Sequence, residues 1–224
     1  MPPLVSAHRG GPEGIHPPGT LDAIRAATRV GVDFVEFDVR RTPEGVFVVR
    51  HDPLRPGGTP GTVTLEDALR VLEGTGVAAH VDLKEAGDEL AIAMICEKHL
   101  GTDGFFVTTM EDESVRILRT NLPHLRVALS LGRGGQVQRP IQTVRTTLSE
   151  LFPGGRVGRC SPTTLAVHHR LARAGVLRWA RRRELPVLVW TLNDRRLIEW
   201  AWAQPQLWAF TTDLPRLALA LKPA

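Results

Sequence analysis

The chain has 224 residues, 42% of them hydrophobic, and a formal net charge of +4 from 28 basic and 24 acidic side chains. That suits one domain with a real core across residues 1–224 and is short for two independent ones. Two cysteines without paired spacing, Cys96 and Cys160, exclude a disulfide framework, and no run approaches the roughly 18 apolar residues of a membrane span.

The basic excess is carried by arginine, since Lys84, Lys98 and Lys222 are the only lysines. Such a balance suits an anionic ligand. The dispersed basic residues and the 5% aromatic content argue against a nucleic-acid surface. The densest run, Arg181-Arg182-Arg183, reads as a solvated helix end complementing the helix dipole. Met1 to His8 has neither a charged nor an apolar leader region, so a cytoplasmic location is expected.

In chain order, Leu4 to His8 reads as a strand, and Thr20 to Val30 as a helix stopped by Gly31. Phe34 to Val39 is a second strand, with the extended run Val46 to His51 close behind it. A helix follows over Leu65 to Leu72, then a strand over His80 to Lys84 and a helix over Asp88 to Leu100. Further strands are expected at Phe105 to Met110, Arg126 to Leu131, Leu165 to His169, Pro186 to Leu192 and Trp208 to Thr212. Helical patterns accompany them at Glu113 to Asn121, Ile141 to Leu151, Val176 to Glu184 and Arg195 to Ala203. Strand–helix alternation predicts a parallel sheet covered by helices. About eight units in one domain, without a glycine-rich dinucleotide turn after the first strand, favour a compact (β/α)₈ TIM barrel over an open sheet.

In such a barrel the chemistry belongs at the C-terminal ends of the strands. The first strand ends in His8-Arg9-Gly10-Gly11, which pairs an acid–base group with a guanidinium fork suited to phosphate. In the second, period-two alternation puts Glu36 and Asp38 on one face and Val35, Phe37 and Val39 on the other. Adjacent carboxylates on an inner face repel one another, a conflict that a hard divalent cation removes. A salt-bridged pair at the barrel rim is the alternative. The run Val46 to Arg50 ends in His51-Asp52, so two histidines at two strand ends can act as acid and base. On the third strand His80, Asp82 and Lys84 share the inner face, where Asp82 either joins Glu36 and Asp38 or pairs with Lys84.

Trp190-Thr191 and Asn193, and Thr211-Thr212-Asp213, end the last two strands and can shape the mouth. Thr212-Asp213 also reads as a cap for a helix over Leu214 to Leu221. His168-His169, a formal metal pair, reads as core or rim because adjacent strand residues face opposite sides.

Together, His8-Arg9-Gly10, Glu36-x-Asp38, His51-Asp52, Asp82-x-Lys84, Trp190-Thr191 and Thr212-Asp213 resemble the motif order of the glycerophosphodiester phosphodiesterases. The resemblance implies a barrel with one divalent cation, Mg²⁺ or Ca²⁺, held by Glu36, Asp38 and Asp82. It implies His8 and His51 as acid and base, and Arg9 and Lys84 on the phosphate, with Trp190 a candidate substrate contact. The implied reaction is hydrolysis of a small phosphodiester to an alcohol and glycerol 3-phosphate. A lysophospholipase D or sphingomyelinase D-like activity on a lysophospholipid, or a non-catalytic headgroup-binding barrel, are the alternatives.

Three departures accompany the resemblance. Pro17-Pro18-Gly19-Thr20 stands where the family usually has Pro-Glu-Asn-Thr. Aspartate stands at residue 82 where glutamate is commoner, and Asp-x-Lys also looks like the sphingomyelinase D and lysophospholipase D branch. Pro56 to Gly61 looks like the remnant of a shortened cap after the second strand.

Overall fold

The computed structural model describes residues 2–11, 13–54, 62–132 and 148–223. The presumed cap remnant, Pro56 to Gly61, lies outside the described residues, as does most of the expected helix Ile141 to Leu151, of which 148–151 are helical.

Eight parallel strands close into a barrel. They are β1 (Leu4–Ala7), β2 (Phe34–Arg41), β4 (Ala78–Leu83), β5 (Phe105–Thr109), β6 (Val127–Leu131), β7 (Thr164–His168), β8 (Val187–Trp190) and β9 (Leu207–Thr212). Each pairs with the next, and β1 pairs with both β2 and β9, which closes the circle. The remaining strand, β3 (Phe47–Val49), runs antiparallel to the end of β2, on the edge away from β4 and beyond the end of β1, and is not a barrel stave. The expected run Val46 to His51 is therefore the return arm of a hairpin. Gly45, at φ +88°, turns the chain, and Thr42 N–H and Val46 O meet at 2.8 Å.

Helices cover the outside. Thr20 caps α1 (Leu21–Val30) by accepting from Ala23 N–H, and Gly31 ends it in the left-handed region. Thr64 caps α2 (Leu65–Leu72) in the same way. Then come α3 (Glu89–Leu100) and α4 (Asp112–Asn121). The next, α5 (Gly154–Cys160), was not expected, because three glycines in seven residues oppose helix formation. Arg156 and Arg159 hold it to α4 through Asp112. The helix expected over Val176 to Glu184 begins earlier, at His169, and is interrupted at Gly175 (φ +129°) before α6 (Leu177–Arg181). Two helices follow, α7 (Arg195–Trp202) and α8 (Pro215–Ala220). Among the described residues no helix is long and apolar enough to cross a membrane.

The alternation read from the sequence divides the core in two. Outward residues such as Val35, Phe37, Val39, Val81 and Leu83 pack under the helices. Inward residues fill the barrel. Its N-terminal end is plugged by Phe34, Phe106 and Trp208, with ring centroids 4.9 to 5.4 Å apart, and Arg126 lies over the Trp208 ring. The polar inward residues are left for the C-terminal end.

Candidate active site

The register of β2, β4 and β5 sets the geometry. Glu36 lies beside His80, and Asp38 beside Asp82, which lies beside Thr108. One carboxylate oxygen from each of Glu36, Asp38 and Asp82 lies within 4.8 Å of the other two. Glu36 and Asp38 are buried, and Asp82 is half-buried. Burial, and after it the charge of Asp38, pushes the Glu36 carboxyl up to about 7. Three clustered oxygen donors, one of them reluctant to ionise, fit a hard divalent cation, which would relieve both the burial and the repulsion.

The cluster is ringed by cations from this chain. Lys84 Nζ reaches Asp38 Oδ1 at 2.7 Å and Asp82 Oδ2 at 2.5 Å. Burial acts against its charge, but the two aspartates outweigh it and raise its pKa. The pairing of Asp82 with Lys84 and the grouping of Asp82 with the other acids, alternatives in the sequence, thus occur together. Arg9 Nε lies 3.1 Å from Asp38 Oδ2 as a charge contact without an aligned hydrogen bond.

Arg9 is placed by the turn that ends β1. Arg9 and Gly10 have φ of +50° and +83°. A Cβ on Gly10 would sit 2.8 Å from that of Ala23, so only glycine lets the turn lie against α1. The turn delivers Arg9 N–H to Glu36 Oε2 at 2.7 Å. Pro17 to Thr20, where the resemblance leads one to expect a carboxylate, holds the turn by backbone instead: Gly19 N–H donates to Arg9 O at 2.9 Å.

His8 Nδ1 lies 2.6 Å from Asp213 Oδ1, and Nε2 lies 3.9 Å from Glu36 Oε2. Burial lowers the imidazole pKa, but Glu36 and Asp213 outweigh it and the net shift is upward. Asp213 is oriented in turn by Asn193, which donates to its carboxylate and accepts from its backbone N–H. The sequence reading made Thr212-Asp213 a helix cap. That expectation is corrected: Leu214 is the N-cap of α8, without a side-chain cap bond, and the Asp213 carboxylate turns to His8. No sequence spacing links residues 205 positions apart, and only barrel closure brings β9 beside β1.

His51 does not end a barrel stave. It follows the hairpin arm β3 and is exposed, with Nδ1 2.8 Å from Asp52 Oδ1. Arg50 N–H donates to Asp38 O at 2.8 Å, which ties this segment back to β2 beside the cluster. His8 and His51 share one feature: a carboxylate holds Nδ1 and leaves Nε2 for other work. Trp190 is half-buried, edge-on to His168 with centroids 5.1 Å apart. His168 in turn packs on His169. The only group of three or more His, Cys, Asp or Glu with metal-site spacing among the described residues is Glu36, Asp38 and Asp82, and it includes neither His168 nor His169.

One network was missed in the sequence. Thr108 Oγ1 donates to Asp82 Oδ1 at 2.5 Å, so it accepts from His80 Nε2 at 3.1 Å. His80 Nδ1 then accepts from Ser6 Oγ at 2.9 Å. Burial, then His8 and Lys84, hold the His80 pKa well below the ordinary value, so the ring is neutral and stacks on Phe106. The available signal was spacing: Ser6 and His80 each lie two residues before a site residue, and His80 shares its strand face with Asp82.

Residues 8–85 match the Glycerophosphoryl diester phosphodiesterase family. A glycerophosphodiester phosphodiesterase of Arabidopsis thaliana is 27% identical over 86% of this chain and 65% of its own length. The "Probable glycerophosphodiester phosphodiesterase 2" of Mycobacterium tuberculosis is 26% identical over 63% of this chain and 43% of its own. The chain thus spans less than two thirds of either curated relative. An Oleispira antarctica phosphodiesterase, solved in complex with its product sn-glycerol-3-phosphate, superposes with a TM-score of 0.78 at 20% identity, covering 98% of this chain and 96% of that one.

Proposed function

We propose that this chain, a member of the glycerophosphodiester phosphodiesterase family, hydrolyses small glycerophosphodiesters to an alcohol and glycerol 3-phosphate as one barrel domain. The observation that carries the reading is the meeting of Glu36, Asp38 and Asp82, within reach of His8, Arg9 and Lys84, at the end of the barrel where chemistry is housed. The product bound by the Oleispira antarctica relative is the chemistry this cluster suits.

Glu36, Asp38 and Asp82 would hold one divalent cation, Mg²⁺ or Ca²⁺, which when bound supplies Lewis-acid polarisation of a phosphoryl oxygen. Arg9 and Lys84, already beside Asp38, offset the charge that builds on the phosphoryl group. The Nε2 atoms of His8 and His51, whose Nδ1 atoms are held by carboxylates, move the protons, one taking a proton from water and the other giving one to the leaving oxygen. Trp190 contributes an apolar wall for the alcohol.

Glycerophosphocholine hydrolysis, followed with and without EDTA, tests this. Parent protein is expected to turn over only with divalent metal, and His8→Ala or His51→Ala to lose about 10²- to 10⁴-fold in kcat. Unchanged kcat in folded His51→Ala would remove the two-histidine mechanism, and binding without turnover would leave a headgroup-binding barrel. Asp82-x-Lys84 also resembles the sphingomyelinase D and lysophospholipase D branch, whose outcome, a cyclic phosphate from a lysophospholipid, phosphorus NMR of the products distinguishes.

A further inference from the structure

On the outer face of the barrel, α6 and the segment leading into it face the end of α7 across a groove of about 330 Å³. That volume is at the lower end of small-molecule sites. The groove borders a backbone irregularity. The helix from His169 breaks at Gly175, whose φ of +129° is closed to other residues, and a Cβ built there meets nothing within 4 Å.

Three arginines line the groove, Arg173, Arg178 and Arg181. Among the described residues none of the three guanidinium groups has an ion pair or hydrogen bond, whereas those of Arg156, Arg159, Arg195 and Arg216 all have carboxylate partners. Opposite them stand Trp200 and two amides, Gln204 and Gln206, and Gln206 donates to Gln204 at 2.9 Å. The lining therefore holds three cations, an aromatic face and two neutral polar groups, and no carboxylate. Guanidinium forks match phosphate oxygens in pairs, and three of them without counter-ions in one concavity make a positive focus.

We propose that this groove binds a multiply charged phosphate group, away from the Glu36–Asp38–Asp82 cluster and independently of any hydrolysis there. Arg173, Arg178 and Arg181 clasp the phosphate, and Trp200 provides a face for whatever carries it. The same chemistry is offered by a soluble phosphate compound and by an anionic lipid headgroup.

The test uses the full chain with inorganic pyrophosphate, followed by calorimetry, and vesicles of phosphatidylcholine with or without phosphatidic acid, followed by co-sedimentation. The parent is expected to bind pyrophosphate more weakly as salt is raised. The triple variant Arg173→Gln, Arg178→Gln, Arg181→Gln is expected to bind it at least about tenfold more weakly, since each 1.4 kcal/mol lost is tenfold. All three side chains are exposed, so the variant is expected to keep its thermal midpoint. Gln204→Glu, which keeps every arginine and adds a negative charge, is expected to weaken binding in the same direction. Loss of both pyrophosphate and phosphatidic acid vesicle binding supports the groove with a lipid source. Loss of pyrophosphate binding, with no vesicle binding by the parent, supports it with a soluble source. Absence of pyrophosphate binding by the parent, or parent-like binding by the triple variant, overturns it.

Discussion

Asp82 has four neighbours, Lys84, Thr108, Glu36 and Asp38, and the cation proposed for the cluster depends on its charge. Asp82→Asn keeps the size and removes a charge. A divalent ion at 100 times its Kd is expected to stabilise the parent by about 2.7 kcal/mol, read as a rise in Tm, and the Asp82→Asn protein by much less. An equal rise in both would place the cation elsewhere. Glu36 makes a pH prediction at the same scale. Burial lifts its folded carboxyl from the ordinary 4.5 to about 7, so between those values the folded state holds a proton that the unfolded state has released. Its contribution is full below pH 4.5 and is lost as pH rises toward 7. In EDTA, the Tm of the parent relative to Glu36→Gln is therefore expected to fall across that window and then level off. A difference that grows with pH would contradict the sign.

The turn that closes β1 is the element on which Arg9 depends. Gly10 is buried, its φ is positive, and Ala23 occupies the space a Cβ would need. Gly10→Ala is expected to cost about 1–3 kcal/mol from the strained conformation alone, and to lower turnover by shifting Arg9 from Glu36 and Asp38. A Gly10→Ala protein with parental Tm would mean that α1 moves aside freely. The hairpin β2–β3 shows the limit of reading elements from pattern. An apolar run ending in histidine looks alike whether it is a stave or a return arm. The turn at Gly45 makes it a return arm, and His51 consequently sits on an exposed loop after it.

Across the whole molecule, the barrel interior has two ends with opposite character. The aromatic plug excludes water at one end, so the polar inner residues collect at the other. Phe106 joins the two, packing on Phe34 and Trp208 and stacking under His80 at 4.3 Å. Phe106→Ala is expected to cost about 3–5 kcal/mol in urea unfolding, and to reduce activity by freeing the His80–Thr108–Asp82 chain. Full activity at reduced stability would show that the chain is not needed to hold Asp82.

The sequence by itself determined the barrel and the donors on two of its strands. Period-two alternation assigns Glu36, Asp38, His80, Asp82 and Lys84 to one face whatever the neighbours are, because a strand has only two faces. The same local rule placed the caps of α1 and α2. Only the tertiary structure decided which strands meet. Closure of β9 on β1 turned Asp213 from a presumed cap into the partner of His8. Register carried Ser6, His80 and Thr108 into one chain ending at Asp82, and packing of two helices left three arginines without partners. Those relations join residues far apart in sequence, and their geometry follows from shear, closure and packing, which periodicity along a single strand does not encode.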